Sequence, residues 1–549
     1  MSGATETSVV REDASVAESI AAIIVGLSAL LFVLALAAQF DLVSVTGEIV
    51  GFSTITVLGG LLLVLGLTVV GFGVGSRLDY VATEPSPSAG LVAATLFTGI
   101  WFVVGGLVAS QTFGLGTVGW LVVAILAGAV AFATTAVPRE DVGSTVPAGV
   151  LASFFGLVML TGAIGPNWSW TPANFPASQS VTFFPRVVVP VIVMFCALVV
   201  GWAAAKAYGG FGARGRHLGA HLLIYLNAMS IIAVLFVLVA FVVFKGIDPV
   251  TNGFEVGLGV GPGTTVNLFG LSYTIVWPIS WPFVMKGAFI MNEVNGVLPA
   301  MVGTVWLVIG ATVLAVPLGV GSAVFLTEYA ERGRFTRIVE VATNALWSTP
   351  SIVFGLFGAA FLVPRFTPNP QKSLLAGMIT LGFMLLPLVL ITAREAMLSV
   401  PDEYRDASAA LGVSKWDTIR SVVLPAAMPG VVTGIILGVG RIAGETAPLL
   451  LTMGGGSFVS ASQRVQVLGG FQFTAAPPFV TNPELTRATT ALPYQLYQVV
   501  LTGTGSSSGV EDTVSYGWGN ALVLLAVVLA FYAVGIATRQ YFRRKLQYE

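Results

Sequence analysis

The sequence predicts an all-α polytopic membrane protein. Of 549 residues, 56% are hydrophobic and only 9% are charged, and the mean hydropathy is +0.90. Soluble domains carry about 25% charged residues. The apolar residues also gather into about twelve runs, each long enough to cross a hydrocarbon layer roughly 30 Å thick as a helix rising about 1.5 Å per residue.

The runs lie near 19–40, 52–74, 90–110, 114–136, 146–165, 187–205, 222–244, 298–326, 341–363, 373–393, 431–453 and 518–538. The first ends in Ala35-Leu36-Ala37-Ala38, which looks like a leader cleavage region. Its length, and the acidic Glu12, Asp13 and Glu18 before it against Arg11, read instead as a retained span. Two early runs are rich in Gly and Thr, which leaves re-entrant segments open beside full crossings. The 64 glycines fit close helix packing, with Gly434 and Gly438 forming one GxxxG step. Segments 246–297 and 454–516 read as long loops on the outer side.

Orientation follows from the basic residues. With both termini cytoplasmic in a plasma-membrane protein, about 17 of the 25 Lys and Arg fall on inner segments. The densest clusters are Arg332, Arg334 and Arg337; Arg394, Arg405, Lys415 and Arg420; and Arg539, Arg543, Arg544 and Lys545. The first six runs hold no ionisable residue near their middles, and no internal repeat relates them to the last six. A Gly/Arg-rich stretch at 209–219 is therefore taken as the boundary between an N-terminal extension, 1–218, and a second domain, 219–549.

Arg441 and Glu445 lie in the middle of the run 431–453. A charge at that depth costs on the order of 2.5–3.5 kcal/mol on insertion scales. Four residues apart on a continuous helix, the two heads share a face and partly neutralise one another. Such a pair reads as a solute path or as a structural salt bridge. Thr446, and Ser351 beside the helix-breaking Pro350, add hydroxyls to a candidate path.

Between the tenth and eleventh runs, 394–430 reads as a helix–turn–helix. Pro401 suits a first turn, Ala407, Ala410 and Leu411 form a small-residue stripe, and Gly412 supplies a stop. Ser414 with Asp417 starts a second short helix with Trp416, Ile419 and Val423 on its apolar face. Pro425, Pro429 and Gly430 are expected to close it before the next span. On physics alone this is a docking surface or an amphipathic elbow on the headgroups.

The residues narrow the reading. Asp406-Ala407-Ser408, three residues, Gly412, nine residues, Val422-Val423-Leu424-Pro425 resembles the EAA signature of ABC-importer permeases, with Asp for Glu, Ser for Ala and Val for Ile. Gly444-Glu445-Thr446-Ala447-Pro448-Leu449-Leu450 resembles the GETAPLL segment of phosphate permeases of the PstA type. Thr349-Pro350-Ser351-Ile352-Val353-Phe354-Gly355-Leu356, Asn295-Gly296-Val297-Leu298-Pro299-Ala300-Met301-Val302-Gly303-Thr304 and Phe325-Leu326-Thr327-Glu328-Tyr329-Ala330 are similar to further segments of that family, in the same order. The resemblance implies a C-terminal six-helix type I importer core in 219–549. It also implies a coupling helix that docks on an ATPase through Tyr404, Arg405, Asp406, Ala407, Ser408, Ala410, Leu411 and Gly412.

Partners implied are a second permease (PstC type), a homodimeric ATPase (PstB type) and an extracytoplasmic phosphate-binding protein (PstS type), together with membrane lipid and no nucleic acid. The chain lacks a Gly-x-x-x-x-Gly-Lys-Ser/Thr loop. It is thus expected to be non-catalytic and to bind no cofactor, with ATP and Mg²⁺ on the ATPase. Cys196, His217 and His221 do not make a usual zinc site. Rival readings are a permease for another oxyanion, sulfate or molybdate, and a twelve-helix secondary transporter.

Overall fold

The computed structural model describes residues 16–49, 51–172, 181–268, 271–288, 295–331, 333–366, 371–455, 459–477, 479–503 and 513–548. Arg332 of the basic cluster, and Arg11, Glu12 and Asp13, lie outside them. The chain divides into two compact units, Met1–Leu238 and Val239–Glu549.

The first unit holds α1 (Val16–Gln39), the short hairpin β1 (Glu48–Ile49) and β2 (Phe52–Ser53), α2 (Thr54–Arg77), α3 (Leu91–Leu107), α4 (Thr117–Ala136), α5 (Glu140–Leu160), α6 (Pro185–Tyr208) and the start of α7 (Gly212–Thr251). Helices α1 to α6 are all long and apolar enough to cross a membrane, so the early Gly/Thr-rich runs are full-length helices rather than re-entrant loops. The pairs α2 with α5, α1 with α6, and α3 with α4 make the closest approaches. Gly59, Gly66 and Gly73 recur at every seventh position of α2 and face α5. A Cβ on Gly59 would lie 2.7 Å from Met159 Cβ, and one on Gly66 would lie 2.6 Å from the Gly149 carbonyl oxygen. Small residues let these backbones touch where lipid supplies no hydrophobic drive to associate.

Helix α5 begins six residues before the run expected from 146. Glu140 and Asp141 occupy its first turn, fully buried. Glu140 pairs with Lys206 Nζ at 2.7 Å and with Arg216 at 3.4 Å, and accepts from the backbone N–H groups of Ser86 and Gly212, each at 3.0 Å. Lys206 also donates to Ser144 Oγ at 2.7 Å and lies 4.8 Å from the Trp202 ring centroid. Asp141 is held by Arg139 Nε at 2.8 Å and Ser76 Oγ at 3.2 Å. The stretch taken as a linker is mostly helix. Only a tight turn, with Gly210 at φ +72° and Phe211 at φ +62°, separates α6 from α7.

The second unit continues with β3 (Glu255–Val256), β4 (Gly263–Leu268), β5 (Leu271–Val276) and β6 (Ile279–Ser280), where β4 pairs with β5 and β3 with β6. Then follow α8 (Pro282–Met285), α9 (Leu298–Val324), α10 (Arg334–Ser348), α11 (Ser351–Phe357), α12 (Val363–Phe366), α13 (Leu374–Leu398), α14 (Asp402–Ala410), α15 (Lys415–Thr418), α16 (Leu424–Ala443) and α17 (Ala447–Thr452). The hairpin β7 (Gln472–Phe473) and β8 (Val480–Thr481), α18 (Leu492–Gly503) and α19 (Thr513–Tyr548) complete it. Its core gathers Leu307, Ala311, Met378, Leu381, Leu385, Ile442 and Leu449 between α9, α13, α16 and α17.

Among the described residues eleven helices are long and apolar enough to cross a membrane, or twelve if one bent pair counts as a span. That pair is the ninth run. Arg334–Ser348 and Ser351–Arg365 meet at 102°, the break falling at Pro350, whose missing N–H and ring end the first segment. The eleventh run is also broken. Its helix reaches back to Lys415, stops at Ala443, and resumes only as the short α17. The expected stop at Pro425 does not occur. A π turn, Ile419–Val423, in which Leu424 N–H donates to Ile419 O, leads straight into α16, with Pro425 in a first turn that needs no donor. The segment 454–516, expected as a loop, includes α18, whose Leu492 and Val499 are buried.

Candidate functional site

The Gly434/Gly438 step packs α16 on α13. Gly434 abuts Thr392 and Gly438 abuts Leu385. Beyond the break, Gly358 is wedged between Thr380 and Thr452, and Gly377 lies against Met453. Read along α13, this ladder sets residues 441–446 between the levels of Leu385 and Thr380, in the first half of a helix that spans Leu374–Leu398. The far end of α17 is tied to the start of α13. Lys372 Nζ donates to Leu450 O at 2.6 Å and Ser373 N–H to Thr452 O at 2.9 Å. Arg441 thus sits on a helix end rather than within the continuous helix expected for this run.

Arg441 occupies the last turn of α16 and Glu445 the break that follows. Nε and Oε1 stand 3.8 Å apart, with the side chains 36% and 18% exposed. The guanidinium lies over the Trp347 indole, Cζ 4.2 Å from the ring centroid, a cation–π contact worth about 0.5–2 kcal/mol. It makes no side-chain hydrogen bond among the described residues, so its fork of donors is uncommitted. Behind it, Ile442, Ala443 and Leu449 seal against the core.

The hydroxyls beside this break differ from their neighbours. Thr312, Thr380, Thr392, Thr433 and Thr452 each donate to the carbonyl four residues back. Thr446 and Ser351 make no side-chain hydrogen bond among the described residues. Their two segments pack on one another, since a Cβ on Gly355 would lie 2.7 Å from Pro448 Cα. Thus Arg441, Glu445, Trp347 and the two broken helices converge, and the open groups all sit where regular helix is interrupted.

At one end of the bundle, α14 forms as the sequence predicts. Gly412 has φ +72°, Gly412 N–H donates to Ala409 O and Val413 N–H to Ser408 O, which closes the helix C-terminus in a Schellman arrangement. Ser414 Oγ accepts from Asp417 N–H at 3.2 Å. The residues expected to dock on an ATPase divide. Tyr404, Asp406, Ala407, Ala410, Leu411 and Gly412 are exposed, whereas Ser408 is buried and returns its hydroxyl to Tyr404 O. Arg405 faces inward. It pairs with Glu328 at 2.9 Å and donates to the carbonyls of Met397 and Val400. It therefore anchors the helix rather than lining its outer surface. Trp416, expected on the apolar face of the second short helix, is 56% exposed, and Tyr404, Leu411 and Val413 are exposed as well.

Trp347, Glu328 and the Arg394–Glu340 pair at 2.6 Å were not legible as site residues. Trp347 immediately precedes the Ser348–Pro350 break, and Glu328 stands in a segment already marked by resemblance, but their partners are distant in sequence.

Residues 315–548 match the model of the binding-protein-dependent transport system inner membrane component family. The phosphate transport system permease protein PstA of Haemophilus influenzae is 32% identical over 254 residues, 46% of this chain and 78% of that protein. PstA 1 of Mycobacterium tuberculosis is 41% identical over 174 residues, 32% of this chain, and the chain spans 56% of its length. A solved inward-facing MetNI methionine ABC transporter chain aligns at TM-score 0.31 with 19% identity, over 45% of this chain and 94% of that one, too loosely to argue from. On the sequence relationships, this multi-pass membrane chain belongs to the binding-protein-dependent transport inner-membrane component family, the permeases of ABC importers, among its PstA-type members.

Proposed function

We propose that the chain is the membrane-spanning permease subunit of an ATP-driven importer of inorganic phosphate, with Arg441, Glu445, Thr446 and Ser351 on the translocation path. The observation that carries this is the guanidinium of Arg441, at the end of a broken helix packed on α13 and 36% exposed, with no side-chain hydrogen bond among the described residues. Phosphate is a tetrahedral oxyanion that the planar fork of Arg matches. Glu445 balances the charge when the path is empty and accepts a hydrogen bond from a phosphate OH. Sulfate has no such proton near neutral pH and would face the carboxylate unfavourably.

The exposed side of 404–412, with the exposed Trp416, is the ATPase dock, and its movement shifts α13 and α16 as rigid bodies. The assembly comprises a second permease of the PstC type, two ATPase copies of the PstB type that hold ATP and Mg²⁺, and a phosphate-binding protein of the PstS type outside. Both termini are cytoplasmic. Residues 1–218 form an appended membrane domain.

Labelled-phosphate uptake with the ATPase co-expressed tests this. Wild type should accumulate phosphate only with an active ATPase, Arg441→Ala should abolish most of it, and Gly412→Asp, which strains the stop of α14, should lower it by several-fold. Uptake driven by an ion gradient without the ATPase would favour the secondary-transporter reading. Competition by sulfate or molybdate at equal concentration would favour the other-oxyanion reading.

A further inference from the structure

A second basic site lies away from Arg441. A cleft of about 580 Å³ opens between the end of α9 and the flanks of α10 and α13, lined among others by Thr327, Arg334, Arg337, Glu340, Arg394 and Leu398. Arg394 Nη2 is paired with Glu340 at 2.6 Å and Nη1 reaches the exposed Glu395 at 3.6 Å, while its Nε is buried without a hydrogen-bond partner. Arg334 and Arg337, one turn apart on α10, have no ion-pair partner among the described residues. Three guanidinium groups thus share one lining carboxylate, a charge excess that a concave wall concentrates.

The surrounding helix says what fits. Helix α10 exposes Phe335, Ile338 and Val341, each between 64% and 66%, beside those arginines. An apolar face flanked by basic residues lies naturally at the boundary between acyl chains and headgroups. Guanidinium forks bind phosphoryl oxygens in pairs, and basic pockets between membrane helices take lipid phosphates.

We propose that this cleft binds a phosphate-bearing anion, either the headgroup of an anionic lipid or free inorganic phosphate. The site touches the coupling apparatus, because Leu326 and Thr327 line it and the next residue, Glu328, holds Arg405. Occupancy therefore bears on the seat of α14, whatever solute the path carries.

The test uses the full chain in nanodiscs. One arm measures retention of phosphatidylglycerol against phosphatidylcholine by native mass spectrometry. The other measures saturable binding of labelled inorganic phosphate in phosphatidylcholine discs. Arg334→Gln/Arg337→Gln should weaken the preference in one arm on the order of tenfold. Glu340→Gln, which removes the competing carboxylate, should strengthen it. In the lipid arm Arg441→Ala should leave the preference unchanged, and the phosphate arm is run in the Arg441→Ala background so that only this cleft, and not the path, is read. Equal binding by wild type and the double variant in both arms would overturn the proposal. Should the double variant not stay monodisperse, absence of any gain in Glu340→Gln would overturn it instead.

Discussion

Two charge clusters, one in each unit, show opposite solutions to placing ions in a membrane protein. In the first unit Glu140 and Lys206 stand 2.7 Å apart, both fully buried, with Glu140 also accepting from two backbone N–H groups and facing Arg216, and Lys206 also donating to Ser144. In the second, Arg441 and Glu445 stand 3.8 Å apart, partly exposed, with no side-chain hydrogen bond among the described residues completing either. The first arrangement has no capacity left for a solute and ties helix ends and turns together. The second is under-coordinated where two helices break, and can accept an anion without first losing partners. Burial of charge alone does not mark a transport site; unspent hydrogen-bonding capacity does.

The largest effect that would sharpen this contrast is on stability. Lys206→Met removes the buried partner of Glu140, leaving only the half-exposed Arg216 at 3.4 Å, and should destabilise the purified protein by about 3 kcal/mol, measured by denaturant unfolding. The double replacement Glu140→Gln/Lys206→Met should recover most of that loss. Arg441→Ala should by contrast leave unfolding nearly unchanged while lowering phosphate uptake on the order of 100-fold, equivalent to about 2.7 kcal/mol. Arg441→Lys, which keeps the charge and loses the fork, should fall between. Unchanged uptake in Arg441→Ala would assign that pair to structure, like the first.

Next comes the anchor of the coupling helix. Arg405→Ala strands Glu328, whose side chain is only 8% exposed, and should loosen α14 by about 2 kcal/mol, seen as faster amide exchange in 402–410 and weaker ATPase association. Gly412→Asp meets open space but must adopt φ +72°, at a cost of about 1 kcal/mol. Smallest is Glu445→Gln, expected to keep phosphate uptake within a few-fold while relaxing discrimination against sulfate by about tenfold, measured by competition.

Much of this was legible in the chain. Composition and run length gave the class and the span number, because a bilayer demands long apolar helices whatever their neighbours. Local chemistry gave the Gly412 stop, the Ser414 cap and the Pro350 break, because each depends on a few adjacent residues. The Arg441–Glu445 pair was visible because charge inside an apolar run is costly. Where Arg405 points was not visible, since its partner Glu328 lies 77 residues away. Nor was the passage of the chain through Pro425 and Pro429 without a stop, which depends on a π turn.

The sequence by itself determined that the chain crosses a membrane many times, where it turns after α14, and which charged residues fall inside an apolar run. Those properties follow from solvation and from backbone chemistry of neighbouring residues. Only the tertiary structure decided that the eleventh run breaks after Ala443, that Trp347 lies over Arg441, and that Glu140 starts a helix by pairing with Lys206. Each of those depends on which distant helix supplies the facing surface, and apolar runs that are alike in hydrophobicity do not encode that choice in any local pattern.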